Sequence, residues 1–208
     1  MKYFTREWYN EMTLMGFFIF PETIEEWEEY KLGFGSESDY IEDCREELDI
    51  RKEDLLKYLP KSFHPYIING TLNSTYPSPE LKMMIEGWLR DTREKIDDVF
   101  TEYNSHFESI KSLIPTNARK IHEIRMHDSR VLEFNRNNSN FEMTFNDRDL
   151  KFTFIDTHKL SIPDNLLGRY WLYNELYPVE NGFELRVLFD DMSELLLIAD
   201  DVLIDHSY

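Results

Sequence analysis

Cysteine is almost absent from this chain, with Cys44 the only one among 208 residues. No internal disulfide can form, and a reducing compartment is implied. At an apolar helical position, Cys44 reads as a small buried hydrophobe rather than a nucleophile. Long hydrophobic runs are missing too. The longest, Met12 to Phe20, is interrupted by Thr13 and Gly16 and falls well short of the roughly 20 residues that span a bilayer. The opening residues MKYFTREWY are too charged for a signal peptide, so a soluble, cytoplasmic protein is expected. Basic residues are outnumbered: 23 Lys and Arg face 41 Asp and Glu, a net charge of −18. Such a charge repels phosphate backbones and anionic membrane surfaces and favours basic partners.

Signature motifs are lacking as well. The sequence holds no P-loop, dinucleotide fingerprint, G-x-S-x-G elbow or EF-hand spacing. His122-Glu123 and His127 are five apart, in a segment expected to be a strand, where they would point to opposite faces; the zinc-protease pattern needs two histidines four apart on a helix. His64, His106, His158 and His206 show no ligand spacing. Asp190-Asp191 and Asp200-Asp201 read as turn formers, because Asp side chains bond nearby backbone. No catalytic residue, cofactor or metal site is predicted.

What is present is patterned. From Pro79 to Leu113, Ile85, Leu89, Thr92, Ile96, Val99, Tyr103, His106, Ile110 and Leu113 follow at alternating steps of four and three, which places a wide, largely apolar face on one long helix. Ser78 is suited to cap it and Pro79 to its first turn, while Gly87 or Asn104-Ser105 could divide it. Its width argues for packing within the chain, with a homodimer seam as the alternative to a monomer. Upstream, the spacing predicts short amphipathic helices: one capped by Thr5, one opened by the capping box Thr23-Ile24-Glu25-Glu26, one capped by Ser38 and one by Asp49, the last cut by Pro60. A turn-rich loop follows from Lys61 to Pro77.

After Pro115 the apolar period changes to two. Ile124-Met126 and Leu132-Phe134 begin it, and Phe141-Met143-Phe145, Leu150-Phe152-Phe154 and Phe183-Leu185-Val187-Phe189 alternate well. Trp171 to Tyr177 and Leu195 to Ala199 supply further strands, with Val202 to Ile204 extending the last. Turns fall at Asn137-Asn138-Ser139, Asn146-Asp147-Arg148-Asp149 and Asn181-Gly182, the last a strong hairpin signal. The expected fold is α+β, with a helical region over 1–117 and an antiparallel β-meander over 118–208.

Charge is uneven. Residues 22–54 carry fourteen Asp and Glu against four basic residues, a net of −10. This block reads as the solvated outside of helices or, more sharply, as a docking surface for a basic protein, with Glu25, Glu26, Glu28 and Glu29 supplying charge and whichever of Trp27, Tyr30 and Tyr40 is exposed supplying aromatic anchors. A second candidate is a cleft between the helical half and the sheet, lined by His122, Arg125, Arg169 and Trp171, as in a hydrolase or small-molecule-binding protein.

The opening MKYFTREWY, together with the later strands WLYNELYPVENGFELRVLFDDMSELLLIADDVLI, resembles a bacterial family known as a domain of unknown function. The resemblance covers most of the chain and implies a soluble protein of Gram-positive-type bacteria, with no activity or site residues attached. The pattern from Gly182 to Ile204 is also similar to small sheet-forming binding proteins such as toxin-immunity proteins, which are often acidic because their targets are basic. A non-catalytic acidic interaction protein, immunity-like toward a basic partner, is the first expectation; the cleft-bearing hydrolase or ligand-binding protein is the alternative.

Overall fold

The computed structural model describes residues 1–146 and 150–206, without the side chain of His206. Asp147 to Asp149, within one expected turn, lie outside the described residues. The chain forms two compact units, one of residues 7–98 and one of residues 1–6 with 99–208.

The first unit is helical. Helix α1 (Arg6–Thr13) runs into a 3-10 turn, Leu14–Phe18. Helix α2 (Ile24–Leu32) opens on the expected capping box: Glu26 N–H donates to Thr23 Oγ1 at 3.1 Å, and Thr23 N–H donates to Glu26 Oε2 at 3.3 Å. The two helices expected from Ser38 and Asp49 are one, α3 (Glu37–Tyr58), capped by Ser36. Asp49 to Lys52 contain no Gly or Pro to break it, and Leu48 and Leu55, seven apart on one face, are both buried. Leu59, before Pro60, turns extended at φ −82° and ψ 146° and ends the helix. The expected loop contains a 3-10 turn and the one-turn helix α4 (His64–Ile68), which bury Phe63 and Ile67. These join Leu14, Phe18, Leu48, Leu55 and Trp88 in one core, while Trp27, Tyr40 and Cys44 form a smaller one.

Helix α5 (Pro79–Ile110) is unbroken for 32 residues, about 48 Å, followed by a 3-10 turn to Leu113. Ser78 Oγ accepts from Leu81 N–H at 3.2 Å, as its capping position predicts. Neither Gly87 nor Asn104-Ser105 divides it. The helix buries Leu81, Ile85 and Trp88 in the first unit and Tyr103 and Phe107 in the second, while Ile96, Val99 and Ile110 are half-buried.

In the second unit a strand was expected to begin at Ile124, but the chain first makes helix α6 (Thr116–Glu123), so His122 is helical. Ala118 and Ile121, three apart, are buried on one side of it. Among the described residues eight strands follow: β1 (Ser129–Asn137), β2 (Asn140–Phe145), β3 (Leu150–Ile155), β4 (Lys159–Ser161), β5 (Tyr170–Pro178), β6 (Phe183–Phe189), β7 (Glu194–Ala199) and β8 (Asp201–His206). All pairings are antiparallel, in the order β4-β7-β6-β5-β1-β2-β3-β8. Two meanders, β1-β2-β3 and β5-β6-β7, meet where Ser129 and Arg130 face Trp171 and Tyr170.

Val202 to Ile204 do not extend β7 as expected. They pair with β3, and one residue, Asp200, carries the chain from β7 to this opposite end of the order. The sheet therefore curls on itself. A flat sheet would hold β3 and β6 four spacings apart, about 19 Å, yet the Phe154 and Phe183 rings are 6.4 Å apart. Phe141, Phe145, Phe152, Trp171 and Phe189 fill the interior. The Asn181-Gly182 hairpin forms as predicted, with Gly182 at φ +105° and the position of a Cβ only 2.0 Å from the Ala199 carbonyl oxygen. Asp190 and Asp191 lie in the turn after β6: Asp191 Oδ1 accepts from Ser193 N–H at 3.0 Å, the local bond expected of a turn former, whereas Asp190 Oδ1 accepts from Tyr170 N–H on β5 at 2.9 Å.

One buried charge holds the opening segment. Glu175 on β5 is fully buried. Its Oε1 accepts from the N–H groups of Lys2, Tyr3 and Phe4 at 3.1, 2.7 and 2.8 Å, and its Oε2 from Lys2 N–H at 2.8 Å and the Tyr177 hydroxyl at 2.6 Å. Phe4 is seated against Tyr103 and Tyr173, with ring centroids 5.0 Å from each. The carboxylate thus accepts from three consecutive backbone donors of the opening segment.

Candidate functional site

The helical unit holds a cavity of about 740 Å³. Helix α3 presents Tyr40, Asp43, Cys44 and Glu47 to it, spaced 0, 3, 4 and 7 along the chain and so on one helical face. Trp27 and Tyr30 come from α2, Phe20 and Phe34 from the segments flanking it, and Asn73 from the loop before α5. The Trp27 and Tyr40 rings meet edge-on at 5.4 Å and 88°, and Phe34 meets Tyr40 at 5.2 Å and 72°. Such edge-to-face packing turns ring planes in different directions, so the wall presents aromatic faces as well as edges. Ile19, 82% exposed, stands at the same wall.

The polar part of the wall is acceptor in character. Asn73 Nδ2 donates to the Cys44 carbonyl at 3.0 Å and to Glu47 Oε2 at 3.3 Å, so both amide hydrogens are used, and Asn73 Oδ1 is buried with no partner among the described residues. The Tyr40 hydroxyl donates to the Asn73 carbonyl at 3.0 Å. Burial pushes the Tyr40 phenol and the Cys44 thiol up from their ordinary ranges, so both are neutral near pH 7 and Cys44 is no thiolate nucleophile. The wall contains Asp43 and Glu47 and no Lys, Arg or His. An aromatic hollow with carboxylates and no cation is suited to a positively charged group.

Of the expected docking surface, Glu25, Glu26, Glu28 and Glu29 are exposed on α2. Glu26 is occupied by the cap and Glu28 by Lys31 at 2.8 Å. Trp27 and Tyr40, at 4% and 3% exposure, are not surface anchors beside those glutamates; they turn inward because each is the apolar side of its amphipathic helix, and both wall the cavity. Sequence reasoning missed Asp43 and Glu47, although their spacing beside Tyr40 and Cys44 was available. Nothing local marks Asn73.

The residues of the second expected site are dispersed within the sheet-containing unit. His122 and Arg125 line one small cavity. Trp171 is fully buried, its indole N–H donating to Asn174 Oδ1 at 3.1 Å, and Arg169 pairs with Asp191 at 2.9 Å. Each of those two is committed to the fold. Among the described residues no helix is long and apolar enough to cross a membrane.

Residues 3–198 match the model of a family described as "Protein of unknown function (DUF4085)". The chain belongs to that family. The match takes in Tyr3, Phe4, Glu175 and Tyr177 of the clamp in the DUF4085 chain, though not Lys2, and all the residues that wall its aromatic cavity. No curated protein matches it. For this DUF4085 protein the chemistry therefore has to be read from the side chains themselves.

Proposed function

We propose that this protein is a non-catalytic binding protein whose helical unit receives a cationic side chain of a basic protein partner. The observation that carries this reading is the wall composition: six aromatic residues near Asp43 and Glu47, with no basic residue in the wall. A cation over an aromatic face gains about 0.5–2 kcal/mol, more when water is displaced, and two carboxylates add directional attraction. The setting supports the same partner. Residues 22–54 carry a net of −10 within a chain of −18, a field that speeds encounter with a basic surface and repels acidic ones. In this reading the protein is immunity-like, an acidic cytoplasmic chain that covers a basic one.

The test compares two charge-matched variants against a fluorescent heptalysine peptide and its hepta-arginine counterpart. Asp43→Asn with Glu47→Gln is expected to weaken binding at least about tenfold, equivalent to 1.4 kcal/mol. Glu25→Gln with Glu29→Gln removes the same charge from the outer face of α2 and is expected to change affinity less than about twofold, the scale of screened surface charges. Equal losses in the two variants would reduce the effect to net charge and refute the cavity as the site.

A further inference from the structure

The second unit holds a cavity of the opposite character, independent of the reading above. It measures about 270 Å³, and twelve residues from α5, the end of α6, the segment after it, β5 and the opening segment line it. None of the twelve is Asp or Glu. With 41 acidic residues in 208, composition alone would place about two in a wall of that size. The polar groups present are Arg125, His122, His127, Asn104 and Asn174, which can all act as hydrogen-bond donors.

Their commitments leave donors available. Arg125 has no ion pair or hydrogen bond among the described residues, in a chain where carboxylates outnumber cations nearly two to one. Asn174 is oriented by the Trp171 indole, which donates to its Oδ1, so its amide nitrogen is turned the other way with no partner among the described residues. His127 Nδ1 lies 3.0 Å from Asp128, an exposed carboxylate outside the wall. His122 is stacked on Phe107 at 3.9 Å and 22°. The rest of the wall is apolar or aromatic, with Phe4, Phe100, Met126, Leu172 and Tyr173 among its members.

We propose that this cavity binds a small carboxylic acid with an aromatic or short aliphatic body, Arg125 and the Asn174 amide holding the carboxylate while the aromatic residues enclose the body. An unpaired guanidinium offers the bidentate geometry a carboxylate matches, and the volume lies below the range of drug-sized ligands, about 300–1,000 Å³, so the ligand is small.

Benzoate is the probe, with benzamide as its neutral isostere and acetate as the headgroup without a body. Binding is followed by calorimetry and by the ring signals of His122 and His127. Benzoate is expected to bind at about millimolar concentration or tighter, and benzamide and acetate each at least about tenfold more weakly. Arg125→Gln, at an exposed side chain, is expected to weaken benzoate at least about tenfold with an unchanged thermal melt. Asn174→Asp keeps the acceptor for Trp171, places a carboxylate in the wall and is expected to abolish binding. Equal binding of benzoate and benzamide, benzoate binding unaffected by Arg125→Gln, or no saturable shift of the histidine signals would overturn the proposal.

Discussion

Glu175 allows the sharpest test of the fold. Its carboxylate is buried and receives the N–H groups of Lys2, Tyr3 and Phe4 and the hydroxyl of Tyr177. Hydrogen bonds to a charged acceptor are worth about 1.5–3 kcal/mol each, and a buried donor left unpaired costs about 1–3 kcal/mol. Glu175→Gln keeps the shape, and its oxygen can still serve the three N–H groups that Oε1 serves now. Its nitrogen then confronts Lys2 N–H and can only donate toward Tyr177, a loss of about 2 kcal/mol. Glu175→Ala removes both oxygens and leaves the buried Phe4 N–H without an acceptor, a loss of about 4 kcal/mol. The loss is capped, because residues 1–4 can detach; what then disappears is burial of Phe4, about 1.5–3 kcal/mol for such a side chain, and the bonds themselves. Urea denaturation measures the two losses, and amide exchange at Lys2, Tyr3 and Phe4 reports detachment directly. Phe4→Ala combined with Glu175→Ala is expected to cost at least about 1 kcal/mol less than the sum of the single changes, since one event releases both contacts. An additive pair, or a Glu175→Gln protein within about 0.5 kcal/mol of wild type, would refute the clamp.

Three further outcomes follow from the same structure. Gly87 lies inside α5 with nothing within 4 Å of a Cβ placed on it, so Gly87→Ala is expected to stabilise by about 0.5–1 kcal/mol in chemical denaturation. Gly182→Ala places a Cβ against the Ala199 carbonyl at a positive φ and is expected to destabilise by at least about 2 kcal/mol; a melt equal to wild type would show that the hairpin can shift. Burial against Phe107 lowers the His122 pKa below its ordinary 6.5, so the unfolded chain binds more protons once pH falls beneath that value. The contribution of His122 is complete above pH 6.5 and is lost as pH falls through the folded-state pKa. His122→Gln is expected to flatten this part of the curve, and melts with the same slope from about pH 7 to pH 5 would count against the assignment.

Much of the architecture was legible because its signals are local. A capping box joins residues three apart, so Thr23 and Glu26 could be paired by inspection. Alternation at Phe141, Met143 and Phe145 marks a strand with one buried face before any partner is known. The misreadings have equally specific causes. Asp49 looks like a cap, but no breaker precedes it, and the Leu48 and Leu55 face carries α3 through. The α6 turns were hidden because Ala118 and Ile121 are too few to declare a period, and extended Ile124 looked like the start of a strand.

The candidate sites were legible only in part. Trp27, Tyr40, His122 and Arg125 were singled out from residue type and charge context, and each pair does line a cavity. Which direction Trp27 faces, and that Asn73 closes on Cys44 and Glu47, depends on packing between elements that no local pattern specifies.

By itself, then, the amino-acid order determined the α+β class, the long helix after Ser78, most strand positions and the acidic imbalance, since these rest on periodicity, caps and composition. Only the tertiary structure decided that β8 returns to β3, that Glu175 grips residues 2–4, and that one cavity is walled by acids and another by donors. Those features join residues up to 173 positions apart. A pairing at that separation is selected by whole-chain burial and by the need to satisfy each buried polar group, and neither is written in any short stretch of sequence.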